Sequence, residues 1–283
     1  MKFFHLKAFQ KAAAVLMAAA VAMAACVSCE SDSTLKRIKK NGGLRVGVCS
    51  CAADGDAPFL IDGGSGGLTG EPATKIAASF RTEVTFTRLR SADAYEKLMR
   101  GSVDCLWNCP PPAKEHVSSV RTIETGLYYR QVIMTTKKSK INRLADVKGK
   151  KLAVVSGSDA QAELHKASVM EGSLKEIVVC GTMQQVLEAL ASGAVHCAAV
   201  DEPQALYAAA GFKDAEFKYV DTPIAECGLV IVTRADDADL CAKIAEEYVS
   251  LSGRGAIRSL CEKYGLTGLL TSALKGNPAQ AST

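Results

Sequence analysis

The fold class is most clearly encoded in residues 152–203, LAVVSGSDAQAELHKASVMEGSLKEIVVCGTMQQVLEALASGAVHCAAVDEP. Apolar runs at 152–155, 177–180 and 196–200 predict buried strands, because short apolar runs bounded by turn residues are typical of parallel sheets. A capping box at Thr182 opens a segment whose apolar residues fall on one helical face. Strands that alternate with helices predict a parallel sheet with right-handed crossovers.

The rest of the chain continues this alternation. Glu71-Pro72 predicts the start of a helix, because proline is tolerated in the first helical turn. The predicted series of strands and helices repeats along the chain, which indicates two lobes. Further strands are predicted at 44–49, 84–89, 103–107, 132–136, 217–220 and 229–233.

Composition and charge exclude several classes of protein. The 283 residues are 48% hydrophobic and 23% charged, which is typical of a globular chain and not of a disordered or fibrous one. The formal charge is +4, but three lysines lie within the first 25 residues, so the remainder is nearly neutral. A nearly neutral chain without a nucleic-acid-binding motif predicts no nucleic-acid partner.

The N-terminus has the layout of an export signal. Residues 1–11 carry lysines and no acid, and residues 12–25 form an apolar run that is shorter than the roughly 20 residues needed to span a membrane comfortably. Met23-Ala24-Ala25-Cys26 resembles a bacterial lipobox, which predicts a diacylated Cys26. A plain cleaved signal and lipidation at Cys29 remain alternatives. Residues 26–34 then form a polar tether.

Short landmarks occur in a fixed order along the chain. They are Thr34–Ile38, Leu44–Val48, Ala57–Phe59, Gly67–Gly70, Gly101–Asp104, Leu144–Lys150, Val154–Ser158, Leu190–Gly193 and Val200–Pro203. In this order and spacing, the chain resembles extracellular solute-binding protein family 3, the polar amino-acid receptors of bacterial ABC importers.

The resemblance implies an α/β, two-lobed, type II periplasmic-binding-protein fold. Each lobe would be a mostly parallel sheet flanked by helices, and two hinge strands would cross between the lobes. The resulting division is a signal peptide (1–25), a lipid-anchored tether (26–34), lobe 1 (35–133 and 229–270), lobe 2 (134–228) and a C-terminal tail (271–283).

The resemblance also implies a function. A small polar ligand, an amino acid or a related amine, would bind between the lobes, and an ABC permease would recognise the closed form. The protein would be an exported monomer without a cofactor or metal. It would be held through lipidated Cys26 on the outer face of the cell membrane or in the periplasm.

The family's carboxylate-binding arginine is missing. It closes a Thr-x-x-Arg motif twelve residues after the Gly-x-x-Asp aspartate, and that position is His116, with Ala113 in place of the threonine. Residues 110–112 are prolines, which have no backbone N–H to donate. The anion clamp is therefore degraded, and His116 either touches ligand or is an ordinary surface residue.

Other family positions give further candidates, each with a structural alternative. Asp201 follows an apolar strand and either pairs with the ligand ammonium or caps the next helix. Ser158 and Asp159 open a helix N-terminus that either binds an anion or is filled by Asp159 itself. Phe59 packs on the ligand or in the core. Asn108, after the 103–107 strand, is a further candidate for ligand contact.

The sequence contains eleven cysteines. Cys49 and Cys105 alternate within predicted strands and are interpreted as packing residues. In the fold that the resemblance implies, these strands are neighbours, which makes Cys51 with Cys109 the predicted disulfide. A thiolate metal site is a weaker alternative, because CxC with CxxxC is not a specific zinc spacing.

Two functions compete at this point. The leading one is the substrate-binding lipoprotein of an ABC importer. The rival is a diverged sensor or orphan lipoprotein that kept the fold and lost amino-acid binding, which the missing arginine favours. An enzyme is not predicted, because the sequence has neither an HExxH nor a GxSxG motif.

Overall fold

The computed structural model describes residues 33–49, 58–60, 66–89, 91–109 and 112–270. The strands are β1 (Leu44–Cys49), β2 (Val84–Leu89), β3 (Cys105–Cys109), β4 (Val120–Thr136), β5 (Lys151–Val155), β6 (Glu176–Cys180), β7 (Cys197–Asp201), β8 (Phe217–Tyr219) and β9 (Ala225–Arg234). The helices are α1 (Thr34–Lys40), α2 (Gly67–Ser79), α3 (Ser91–Met99), α4 (Asp159–Lys166), α5 (Ser168–Glu171), α6 (Met183–Ala191), α7 (Glu202–Gly211), α8 (Ala238–Gly253) and α9 (Ala256–Lys263).

The strands pair in the order β2-β1-β3-β9-β4-β7-β5-β6, and β8 pairs with β4. Pairing is parallel between β1 and its neighbours β2 and β3, and between β5 and its neighbours β6 and β7. The long strands β4 and β9 run antiparallel to each other through the middle. Two parallel groups are thus joined by one antiparallel pair.

The buried side chains divide the molecule into two lobes at this central pair. On β4, Ile123 and Leu127 lie in a core shared with β1 and β3, whereas Val132 and Met134 lie in a core shared with β5 and β7. The pairing of β4 with β9 shifts register between Glu124 and Tyr128, opposite Gly228. We call the two halves lobe 1 (β1–β3 side) and lobe 2 (β5–β8 side). The predicted two-lobed α/β fold is confirmed.

Several elements differ in their bounds from the sequence prediction. The strand predicted at 132–136 is the last five residues of the 17-residue strand β4, and the strand predicted at 229–233 is part of β9. Helix α2 begins at Gly67 rather than at Glu71, so Pro72 lies inside it. The earlier start is possible because the carbonyl oxygens of Pro58 and Phe59 accept hydrogen bonds from the first-turn amides of α2. Gly67 has φ +94°, and a Cβ there would collide with the Phe59 carbonyl.

A buried carboxylate lies at the start of β3, at the end of lobe 1 that is far from lobe 2. Asp104, 1% exposed, accepts two hydrogen bonds from the Arg45 guanidinium, at 3.1 and 2.7 Å. The hydrogen bond to Asp104 raises the pKa of Arg45. Arg234 lies 3.7 Å from the same carboxylate. Two guanidiniums therefore neutralise a charge that would be costly to bury alone.

Helix α1 is fastened to this end of lobe 1. The Thr34 hydroxyl donates to Asp237 at 2.7 Å, and the Arg37 guanidinium lies 3.1 Å from the same oxygen. The Leu35 amide donates to Asp239 at 3.2 Å. Within the described residues, no helix is both long enough and apolar enough to cross a membrane.

Candidate functional site

In both lobes, the C-terminal ends of the parallel strands lie toward the crossing, the middle part of the β4–β9 pair where the two lobes meet. At the end of β3, Cys109 lies opposite Val230, two residues beyond the register shift at Gly228. At the end of β7, Asp201 lies opposite Gln131 on β4. The residues that follow the parallel strands of the two lobes therefore lie on either side of the central pair. We call the region between them the cleft, because ligands of open α/β sheets bind outside the carboxyl ends of the strands.

The lobe 2 edge of the cleft is the N-terminus of α4. Ser158 is its N-cap, and the Ser158 hydroxyl accepts a hydrogen bond from the Gln161 amide at 3.1 Å. The Ala160 amide donates to the Asp201 carboxylate at 2.9 Å, and the Gly157 amide donates to the Gln161 side chain at 2.8 Å. These three amides already have acceptors within the protein, so they are not available to an external anion.

Asp201 is therefore held by a helix other than the one it precedes. Its backbone occupies the N-cap position of α7, but its side chain makes no cap hydrogen bond there. The carboxylate is 3% exposed and accepts from α4 instead, where the partial positive charge of the helix N-terminus stabilises it. The alternative interpretation of Asp201 as a side-chain cap for the following helix is wrong, because the neighbouring strand β5 brings α4 within reach of Asp201.

Next to this edge, a cationic side chain of the central strand β4 is held in an ion pair. Arg130 on β4 donates through Nε to Glu202 at 2.7 Å and through Nη2 to the other oxygen of the same carboxylate. The hydrogen bond to Glu202 raises the pKa of Arg130, so the guanidinium stays charged. Arg130 also lies opposite Glu226 across the β4–β9 pair. The charge of Arg130 is thus compensated within the protein.

The lobe 1 edge contains a disulfide, between Cys49 and Cys109, with Cα atoms 5.2 Å apart. The predicted Cys51–Cys109 pairing is wrong, since Cys109 is bonded to Cys49, and Cys49 is not a simple packing residue. β1 and β3 pair directly up to Val48 and Trp107, so Cys49 lies beside the end of β3. Cys51 lies outside the described residues. Cys105 is a buried free cysteine, as expected of a packing residue.

Asn108 precedes the disulfide on the same edge. It is 6% exposed and has φ +54°, and its side-chain amide donates to the Thr69 hydroxyl in the first turn of α2. Thr69 is fully buried. Asn108 and Thr69, among the described residues of the lobe 1 edge, are neutral polar groups, whereas Asp159 and Asp201 bring negative charge to the lobe 2 edge.

A protein-family model now identifies the type of site. The model for "ABC transporter, phosphonate, periplasmic substrate-binding protein" matches residues 73–273, which include most of both lobes and the crossing. The chain belongs to this family. It is a substrate-binding protein of an ABC transporter, which confirms the leading prediction at that level, and it is exported. The family is one of transport binding proteins and not of enzymes.

Solved structures of similar fold include binding proteins for amino acids. A Streptococcus pneumoniae ABC-transporter substrate-binding protein with bound histidine is 20% identical, with TM-score 0.66 over 83% of this chain and 97% of that one. An ancestral cationic amino-acid solute-binding protein is 23% identical, with TM-score 0.67 over 82% and 99%. A Legionella pneumophila arginine-transport periplasmic binding protein is 19% identical, with TM-score 0.59 over 78% and 98%. At these identities, the likeness establishes the fold alone. No curated protein sequence matches the chain.

Two predicted ligand contacts of this binding protein have other partners. Phe59 is 3% exposed in the lobe 1 core, and its carbonyl accepts from the Thr69 amide at 2.9 Å. His116 stacks on Tyr95 of α3, with ring centroids 5.0 Å apart and an interplanar angle of 3°. Phe59 is thus a core residue that binds the first turn of α2, and the ring of His116 packs against lobe 1. Cys26 and Cys29 lie outside the described residues.

Sequence reasoning missed Arg130, Glu202, Thr69 and Gln161 at the cleft. Gln161 could have been found, because a polar residue three positions after an N-cap serine commonly closes a helix start. The Arg130–Glu202 pair joins distant segments and has no local signal.

A separate groove of about 700 Å³ lies at the other end of lobe 2. Its walls carry Lys140, Lys148 and Lys150. Strand β5 starts beside this groove at Lys151 and ends at the cleft at Val155, which separates the two by the length of the strand. Lobe 2 is therefore basic at its far end and acidic at the cleft. Among the described residues, no cluster of side chains has the composition of a metal site.

Proposed function

We propose that this protein captures a small ligand with a protonated amine, an amino acid or a related amine, between its two lobes and delivers it to an ABC permease. The observation that carries the proposal is the buried Asp201 carboxylate at the cleft end of β7. A carboxylate shielded from water attracts a cation more strongly than an exposed one. Asn108 on the opposite edge adds a polar contact from lobe 1.

The balance of charge supports an amine over an anion. Arg130 and Glu202 neutralise each other in a two-point pair, so the carboxylates of Asp159 and Asp201 give the lobe 2 edge its negative charge. Position 116 has no arginine, and its histidine is stacked on Tyr95. A ligand carboxylate therefore has a weaker partner than a ligand ammonium. The histidine, arginine and cationic amino acids named for the similar structures support the same ligand class.

A phosphonate is a second candidate, because the family model is one for phosphonate-binding proteins. A phosphonate dianion needs several N–H donors or cations. At the start of α4, the amides of Ala160 and Gln161 are bonded to Asp201 and Ser158, and the amide of the preceding Gly157 is bonded to Gln161. This arrangement favours the amine.

Isothermal titration calorimetry on the purified protein tests the proposal with L-arginine, L-histidine, putrescine and methylphosphonate. We expect a cationic ligand to bind with a dissociation constant below about 10 μM, or roughly 7 kcal/mol. Tighter binding of methylphosphonate would reverse the assignment. Silence across a panel of the twenty amino acids, polyamines and phosphonates would favour the diverged sensor or orphan lipoprotein.

We also propose the predicted processing and anchoring. Residues 1–25 are removed, lipidated Cys26 starts the tether (26–34), and the tether leads into the two lobes of a monomer with a C-terminal tail (271–283). The predicted lobe boundary after residue 133 lies too late on β4, because Val132 and Ile133 already pack in the lobe 2 cores. Metabolic labelling with an alkyne fatty acid tests the anchoring: Cys26→Ser is expected to abolish the label, and Cys29→Ser to retain it. The reverse pattern would move the lipid to Cys29.

A further inference from the structure

The lobe 1 edge holds a residue in an uncommon backbone conformation. Among the described residues, the non-glycine residues with positive φ are Arg81 and Asn108, at +58° and +54°. Arg81 lies in an exposed turn after α2, whereas Asn108 is 6% exposed within β3. A left-handed residue inside a strand persists only where its surroundings hold it, and such residues concentrate at functional sites.

The covalent bond next to Asn108 is one such constraint. Leu106 pairs with Val232 and Cys109 pairs with Val230, so β3 has one more residue than β9 over this interval. The extra residue makes a β-bulge that contains Asn108. Cys109, the next residue, is fixed to Cys49 at a Cα separation of 5.2 Å. Its side chain therefore shares a sheet face with Cys49, which sets the direction of the backbone at the bulge.

The side chain of Asn108 links the β-bulge to the first turn of α2. Its amide donates to the hydroxyl of fully buried Thr69. The amides of Thr69 and Gly70 in turn donate to the carbonyl of Phe59, at 2.9 and 3.3 Å. The disulfide, the bulge and the first turn of α2 thus form one connected unit at the cleft.

We propose that the Cys49–Cys109 disulfide is a positioning element of the ligand site: it holds Asn108 in its left-handed conformation, and Asn108 fixes the first turn of α2. The effect on ligand affinity rests on the proposed function, whereas the effect on α2 does not. Reduction by a dithiol adds two electrons and two protons to the cysteine sulfurs, breaks the S–S bond and converts the reductant to its own disulfide. Cys109 is 0% and Cys49 6% exposed, so the bond is sheltered from such exchange.

Amide hydrogen exchange tests the effect on α2 without any ligand. The reporters are the amides of residues 68–70, which donate to the carbonyls of Pro58 and Phe59. In Cys49→Ala/Cys109→Ala, we expect these amides to exchange at least about tenfold faster. Cys105→Ala, which removes a buried free thiol from the same strand, is the control and should leave them unchanged. Amides that exchange only through global unfolding will also speed up, because the variant loses stability, so the comparison is with other lobe 1 amides that exchange by local opening. Equal acceleration at those amides would mean that the disulfide stabilises lobe 1 generally and would overturn the inference.

Two variants that keep the disulfide test the route through Asn108. Thr69→Val removes the hydroxyl, and Asn108→Gly keeps positive φ at little cost while removing the amide. Each should accelerate exchange at residues 68–70. In the Thr69→Val background, loss of the disulfide should add little further, because coupled changes are not additive. Full multiplication of the two effects would show that the disulfide does not act through Asn108.

A titration with L-arginine then tests the link to binding. We expect the dissociation constant to rise about tenfold in Cys49→Ala/Cys109→Ala and to stay unchanged in Cys105→Ala. Unchanged affinity despite faster exchange at residues 68–70 would overturn the role in the ligand site. Absence of L-arginine binding by the unaltered protein would count against the proposed ligand class, and the exchange measurements would still decide whether the disulfide positions α2.

Discussion

The two edges of the cleft are held in place by different means. At the lobe 2 edge, backbone amides of α4 bind Ser158, Gln161 and Asp201, and the edge carries negative charge. At the lobe 1 edge, a disulfide joins residues 60 positions apart, and a buried side-chain pair joins Asn108 to Thr69. Lobe 2 thus supplies charge through ordinary helix-terminus chemistry, and lobe 1 supplies a fixed shape through a covalent bond. A ligand site can divide these two tasks between its walls.

Removal of the disulfide should have the largest effect on stability. Closure of a loop with a sequence separation of 60 is worth about 4 kcal/mol in the chain-entropy model. Chemical denaturation of Cys49→Ala/Cys109→Ala should show a loss of that size. Cys105→Ala, the matched control, should lose only the packing of one thiol. A loss below about 1 kcal/mol for the double variant would mean that the lobe 1 edge does not need its covalent bond.

Neutralising Asp201 should chiefly affect binding. Asp201→Asn keeps an oxygen acceptor for the Ala160 amide but removes the charge that we propose for the ligand amine. We expect amine binding to weaken by about 2–4 kcal/mol and stability to change by about 1 kcal/mol. Calorimetry and thermal unfolding measure the two effects separately. Asp159→Asn, at the partly exposed first position of α4, is the control and should have the smaller effect on binding. Full affinity in Asp201→Asn would show that the negative charge of lobe 2 does not contribute to ligand binding.

The N-cap of α4 offers a smaller test. Ser158→Ala should cost about 1 kcal/mol of stability, because the Gln161 amide loses its acceptor. Thr182→Ala removes the equivalent N-cap from α6 and should cost about as much. Ligand affinity should fall in Ser158→Ala alone, because α6 follows β6, the strand of lobe 2 that lies farthest from the central pair. Equal affinity in both variants would show that the start of α4 only stabilises lobe 2.

The smallest effect is expected at position 116. His116→Arg restores the residue that similar receptors use for the ligand carboxylate, but this position packs against Tyr95. We expect the affinity for L-arginine to change by less than about 0.5 kcal/mol. Putrescine, which has an amine and no carboxylate, is the control ligand. A gain for L-arginine that putrescine does not share would show that lobe 1 can also supply charge.

The sequence predicted the fold of lobe 2 better than that of the crossing. Continuous apolar runs marked β5 and β7, because both faces of these strands are buried. The first half of β4 escaped, because buried Ile123, Thr125 and Leu127 alternate with less buried residues and Gly126 lies among them. A half-exposed strand has a weak signal, so the crossing appeared shorter than it is.

The same distinction holds for the site. Asp201 could be predicted because the end of an apolar parallel strand lies at a known edge of the sheet. The partner of Cys109 could not, because the β-bulge that turns Cys109 toward Cys49 depends on the register of β3 against the distant strand β9. Local patterns therefore identified groups at strand ends, but not which side chains meet there.

The attachment of α1 has a mechanical consequence. Thr34 and Arg37 bind Asp237, and Arg234, at the end of β9, lies 2.6 Å from the same carboxylate. A pull on the chain at Ser33 would therefore enter the molecule through lobe 1 and spread directly into the central strand. Because these contacts attach α1 to lobe 1, a protein held by its tether would keep lobe 1 fixed, and lobe 2 would be the lobe that moves.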